Sequence, residues 1–278
     1  MALKSGPMLP PVDLAHIALE ARRLCEDLIQ AFADTHGGDD PTAEAGGETA
    51  AAHAGPDPAD LCQSLQGLLD ALHRRDPQAD LPSPGPAAFG TDAAGQDPGG
   101  PDLGALADHG LEALSRLAAL AGRLHLPLHA RRVEGLALPL ACWAARRGGE
   151  LSHPAPAVNA AAAWANSLKA PEELATLYGL MSELIDALSP RLTQDRDALD
   201  PNGPWRILLL NRGIVATRSH RPALMGPAFQ AIVEALPAAA PDFFREAMGQ
   251  MEALDYPTQV RALVQRYADT WCTRHTLH

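Results

Sequence analysis

The 278-residue sequence predicts an all-α protein. The first reason is a shared template. Pro171, Pro222, Pro241 and Pro257 each precede residues at offsets of three, seven, ten and fourteen: Leu174/Tyr178/Met181/Ile185, Met225/Phe229/Ile232/Leu236, Phe244/Met248/Met251/Asp255 and Val260/Val264/Tyr267/Trp271. Those offsets place the side chains on one face of a helix, and only Asp255 breaks the apolar series. A proline in the first helical turn costs nothing, because its missing N–H would have had no partner within the helix. The second reason is composition: alanine and leucine are abundant, while runs of Val, Ile and Thr, which favour strands, are scarce.

Taken in order, residues 12–36 align Leu14, Ile17, Ala21, Leu24, Leu28 and Phe32 as the face of a long amphipathic helix, which Gly37 and Gly38 end. Residues 37–57 contain no Leu, Ile, Val, Met or Phe and cannot bury enough surface to offset chain entropy, so a disordered acidic linker is expected there. A short helix over 58–75 carries Leu61, Leu65, Leu68 and Leu72. Residues 76–100 are rich in proline and glycine, with only Leu81 and Phe89 as large apolar residues, and read as a second disordered linker.

From residue 101 the character changes. Ten of the twelve Phe, Trp and Tyr residues lie beyond it, which places the packed core in a domain spanning 101–278. Helix 103–124 shows Leu103, Leu106, Gly110, Leu114, Leu117, Ala121 and Leu124; helix 130–147 shows Val133, Leu136, Leu140 and Trp143 and stops at Gly148-Gly149. Pro139 inside the latter should kink or split it near Ala137. The alanine-rich stretch 157–168 surrounds Trp164, and after a polar break at 189–203 a helix over 205–218 precedes the last three template helices.

The charge of −12 is concentrated. Residues 37–102 hold twelve Asp and Glu against Arg74 and Arg75, whereas residues 103–278 balance at seventeen of each sign. That acidity argues against nucleic acid as a partner for the whole chain. No uncharged stretch approaches the roughly 18 apolar residues of a membrane span, and nothing near Met1 reads as a secretory leader. A cytoplasmic protein without a membrane partner is expected.

Paired in sequence order, the helices form antiparallel hairpins: 103–124 with 130–147, 157–168 with 171–188, 205–218 with 222–236, and 241–254 with 257–273. The 35-residue step from Pro222 to Pro257 is close to the tetratricopeptide period. With Pro237 as the closing proline, Leu209, Gly213, Ala216, Phe229 and Pro237 fall where that family places its large, glycine, two aromatic and proline positions. Residues 205–237 thus resemble a degenerate tetratricopeptide repeat, with Ala216 in place of tyrosine and Met225 in place of a small residue. The resemblance implies a right-handed array of stacked helix hairpins, a solenoid, whose work is to bind a protein or peptide without catalysis.

No motif for nucleophilic catalysis, phosphate cradling or a two-histidine zinc helix is present, so no catalytic residue and no cofactor is assigned. Cys25, Cys62, Cys142 and Cys272 stand singly on helical stretches and read as packing thiols. The run Cys272–His278 holds three metal donors at a fraying terminus, a poor place for tetrahedral geometry, and His125 and His129 flank Pro127 in what reads as a solvated turn. Residues 195–203 have the composition of a calcium loop but fail on ligand spacing; no metal site is assigned.

The candidate ligand-binding residues are Asn159 and Asn166, seven apart on one helix, and Asn211 and Arg218, seven apart on another. On the first helices of successive hairpins they would line a concave surface, where amide and guanidinium groups hold an extended backbone or its carboxylates. Caps and solvated positions are the plainer account of the same residues. Arg206, Arg212, Arg218, His220 and Arg221 form a local basic group with no acid between residues 205 and 221, so an acidic peptide or protein is the expected partner. The competing class is an enzyme or small-ligand protein with its site between helices, which a buried polar cluster in an apolar pocket would mark.

Overall fold

The computed structural model describes residues 8–36, 57–76, 102–194 and 203–272. Apart from Asp57 and Asp76, the linkers expected over 37–57 and 76–100 lie outside the described residues, as do most of the calcium-like run and the terminal His275 and His278. All regular elements among the described residues are helices: α1 (Leu14–His36), α2 (Pro58–Arg74), α3 (Leu103–Arg123), α4 (Pro127–Gly135), α5 (Ala137–Ala145), α6 (Ala155–Ser167), α7 (Pro171–Asp186), α8 (Pro190–Gln194), α9 (Pro204–Arg218), α10 (Pro222–Ala235), α11 (Ala240–Ala253) and α12 (Thr258–Cys272). None of them is long and apolar enough to cross a membrane.

The chain divides into two compact units, one of Pro11–Pro156 and one made for the most part of Ala157–His278. In the first, α1 buries Leu14, Ile17, Ala21, Leu24 and Leu28, as their spacing dictates, while Phe32 is half-buried. Asp57 accepts from the Ala59 N–H at 2.9 Å and caps α2, with Pro58 in the first turn. Leu69 rather than Leu68 joins Leu61, Leu65 and Leu72 in the core of this unit, so the face is rotated slightly from the expected stripe. Helix α3 packs against α2, α4 and α5, and α1 packs against α2. An aliphatic seam of Leu24, Cys25, Leu28, Leu65, Leu114 and Leu117 closes between them without room for water.

This arrangement corrects the expected domain boundary at residue 101. Helices α1 and α2 share a unit with α3–α5, and the division falls after Pro156. The low-complexity stretches separate the two helices from α3 in sequence only. Their leucine faces need a partner, and Leu28 and Leu72 are sealed completely within the unit. Asp76, expected to begin a linker, is buried and bonds the Arg147 guanidinium, which lies 4.2 Å over the Trp143 ring.

Pro139 splits its helix as expected. The break falls at Leu136, where the N–H turns to Val133 at 3.1 Å, and Pro139 lies in the first turn of α5, where its missing N–H would have had no partner within the helix. Gly148, at φ 77°, and the Gly149 N–H on the Ala144 carbonyl at 3.0 Å close α5. Asp108, nearly buried, then accepts from the N–H groups of Ser152 and His153 at 2.9 and 3.1 Å and fixes the segment that leads out of the unit. His125 holds the left-handed turn after α3 at φ 58°, and His129 lies within α4, with its Nε2 3.3 Å from Asp27.

Gly104 marks the tightest approach in this unit. A β-carbon there would stand 1.9 Å from the Glu150 carbonyl oxygen, a backbone atom that cannot rotate away. Gly104→Ala is therefore expected to lower stability by about 1–3 kcal/mol or more, the cost of overpacking an interior contact. Urea unfolding checks it, and an unchanged midpoint would contradict the close approach.

In the second unit, all fifteen apolar template positions are buried or half-buried and Asp255 is exposed. Phe229 is fully buried and meets Phe243, Phe244 and Tyr267 edge-on, with ring centroids 5.9, 5.2 and 5.2 Å away. Helix α9 packs against α10, and α11 against α12, as the hairpin pairing requires. The pairing expected for 157–168 with 171–188 is not the one found, because α7 packs chiefly on α9. Helix α6 offers mostly alanine, whereas the bulky stripe of Leu174, Leu177, Met181 and Leu184 finds fuller apolar cover elsewhere.

Candidate functional site

The basic group is set around α9. Leu208, Leu209, Gly213, Val215, Ala216 and Thr217 are buried on this helix, and among its large apolar residues only Ile214 is exposed, at 43%. The buried residues take up more than half of its circumference, so it meets more than one neighbouring helix. Arg206, Arg212 and Arg218 are each half-buried on it. Six residues turn a helix by about 240°, so the three point to different neighbours.

Arg218 reaches α6. Its guanidinium donates to the carbonyl of Ala165 and, at 2.7 Å, to that of Leu168, two acceptors that the end of a helix leaves without intrahelical partners. It thereby acts as a cationic cap on α6, where the helix dipole favours positive charge. Burial raises the Tyr256 hydroxyl above its ordinary pKa, and the charge of Arg218 partly opposes that shift. His220, held at φ 56° in the turn after α9, stacks its ring edge-on against Tyr256 at 5.3 Å.

Arg212 reaches α7. Its Nη1 donates to Ser182 Oγ at 3.3 Å, and its guanidinium stands 5.5 Å from the Tyr178 ring centre. Its Nε is shielded from solvent and has no acceptor. No carboxylate among the described residues pairs with Arg212.

Of the residues singled out from sequence, Asn159 and Asn166 are exposed on α6 and Asn211 is half-buried on α9. None of the three makes a side-chain hydrogen bond to another described residue. Arg218 lies beside the Asn166 end of α6, but two of its donors are spent on carbonyls there. Tyr178 and Ser182 were not singled out: Tyr178 sits in an apolar template slot, and no local pattern marks Ser182 as its partner four residues on. The available signal was the run of arginines without an acid, which pointed to α9 but not to its neighbours.

Cys25, Cys62 and Cys142 are buried and unbridged, and Cys272 donates its thiol to the Pro241 carbonyl at 3.4 Å. The chain matches no protein-family model, no curated protein and no solved structure.

Proposed function

We propose that the second unit is a noncatalytic, tetratricopeptide-like scaffold that binds an acidic segment of another protein. The observation that carries this reading is the cation balance of α9 and the turn after it. Arg206, Arg212, Arg218 and Arg221 occur there without an acid, and Arg212 has no carboxylate partner among the described residues. Charges held at a partly apolar surface attract a complementary segment more strongly than freely solvated ones.

The repeat-like part of the reading is supported by Gly213, where a β-carbon would stand 2.6 Å from Ile232 Cδ1 and 2.8 Å from Phe243 Cζ. A helix pair that closes over a glycine is the packing expected at that slot of a repeat. On this reading Asn159 and Asn166 offer amides along α6 to an extended backbone, and Asn211 does so on α9. Arg218 holds the end of α6 in place while contributing charge.

The test is fluorescence anisotropy of a labelled poly-glutamate peptide against the full chain, with a poly-glutamine peptide of equal length as control. The glutamate peptide is expected to bind, with affinity falling as salt rises, and Asn166→Ala is expected to weaken it by about threefold, the scale of one exposed hydrogen bond. Absence of binding by the glutamate peptide at low salt, or equal binding by the glutamine peptide, overturns the proposal.

A further inference from the structure

Resting on that reading, we infer that Arg212, oriented by Tyr178 and Ser182, is the anchoring point for a carboxylate of the bound acidic segment. Three features separate it from the other cations of α9. Its Nε is shielded from solvent without an acceptor, so part of its hydrogen-bonding capacity is already withdrawn from water and unrepaid. Its one protein acceptor is weak: Ser182 Oγ lies 3.3 Å away and itself donates to the Tyr178 carbonyl at 3.0 Å, so a single hydroxyl meets a full positive charge. The Tyr178 ring, which packs against the hydrophobic core of this unit, sits beside the guanidinium and limits its rotation.

Arginine is retained in partly buried positions when it is paired, and a lone one there destabilises the fold. Arg218 shows the paired case on the same helix, with two carbonyls on its fork. Arg212 lacks the equivalent, and the planar fork still carries donors to spare. A carboxylate arriving at that fork gains charge-assisted hydrogen bonds next to apolar walls, where they are stronger than in water. A singly charged carboxylate suits the position better than a doubly charged phosphate. Asp186 lies on α7 one turn beyond Ser182, and its charge opposes an incoming dianion more than a monoanion.

The experiment uses the full chain, the poly-glutamate peptide, and the variants Arg212→Met, Arg212→Lys and Arg261→Gln. Arg212→Met is expected to weaken binding by about tenfold or more, Arg212→Lys to restore little of it because an ammonium cannot replace the fork, and Arg261→Gln, exposed on α12 and outside the basic group, to change it by less than about twofold. In the absence of peptide, Arg212→Met is expected to melt no lower than the wild type, since it removes an uncompensated charge. A melting temperature several degrees lower would make Arg212 a structural group and overturn the inference, whatever the binding result. Equal losses for Arg212→Met and Arg261→Gln would also overturn it, leaving diffuse attraction and the broader proposal standing, whereas failure of the wild type to bind overturns both. Stronger competition by inorganic phosphate than by acetate at equal ionic strength would overturn the assignment to a carboxylate.

Discussion

Removal of residues 1–76, and with them α1 and α2, is expected to leave α3–α5 without a cooperative fold. The two helices contribute Leu14, Ile17, Leu24, Leu28, Leu61, Leu65, Leu69 and Leu72 to the buried core. Full burial of each such side chain stabilises by about 1.5–3 kcal/mol, against a total of about 5–15 kcal/mol for a domain. Their loss also uncovers Leu114 and Leu117 on α3, which share an apolar seam with Leu28 and Leu65. A chain lacking residues 1–76 should therefore bind hydrophobic dyes, lose the near-ultraviolet dichroism of Trp143 and associate, the signs of a collapsed state without fixed packing. A truncated chain whose Trp143 dichroism and melting transition match those of the full protein would show that the leucine faces of α1 and α2 are dispensable.

Phe229→Ala should be the most damaging single truncation in the second unit. Phe229 is sealed from solvent and touches three other aromatic rings from α11 and α12, so its removal leaves a cavity that neighbours on two helices would have to move together to fill. The expected cost is about 3–5 kcal/mol, read as a fall in the denaturation midpoint with circular dichroism or intrinsic fluorescence. Phe229→Leu, which keeps most of the volume, should lose less than half as much. A shift of only a degree or two for the alanine variant would mean that the aromatic cluster packs loosely enough to collapse around the gap.

The elements of this fold were legible because helical periodicity is a local property. Leu14 to Leu28 and Pro171 to Ile185 each declare their face within a few turns, and Pro139 with Gly148 declares a break and a stop. The domain boundary was not legible, because the proline- and glycine-rich composition before residue 101 reports on the linker and says nothing of which surfaces α1 and α2 meet across it. Adjacent leucines obscured the phase of α2, since Leu68 and Leu69 fit neighbouring stripes equally well. The pairing of α7 with α9 was hidden for a related reason: sequence order favours α6, and only the bulk of the contacting side chains decides otherwise.

The site shows the same division. A count of charges finds the arginines of α9, but their individual roles depend on which groups lie beside them in space. The capping of Ala165 and Leu168 by Arg218 joins residues about 50 apart and involves only backbone acceptors, which leave no trace in side-chain pattern. Asn159 and Asn166 share a face as their spacing requires, yet spacing cannot distinguish an amide waiting for a ligand from one that faces water.

The placement of the cysteines gives this molecule an internal clock for its own opening motions. Cys25, Cys62 and Cys142 all lie in the first unit and are sealed from solvent, whereas Cys272 lies in the second and is partly accessible. The hydrogen bond that the Cys25 thiol donates to Cys62 and burial together push its pKa far above the ordinary value, so little of it is present as reactive thiolate. A thiol reagent must wait for the aliphatic seam between α1 and α2 to part before it can modify Cys25. The rate at which the native protein consumes reagent at that position thus measures how often one specific helix interface breathes, without any engineered probe.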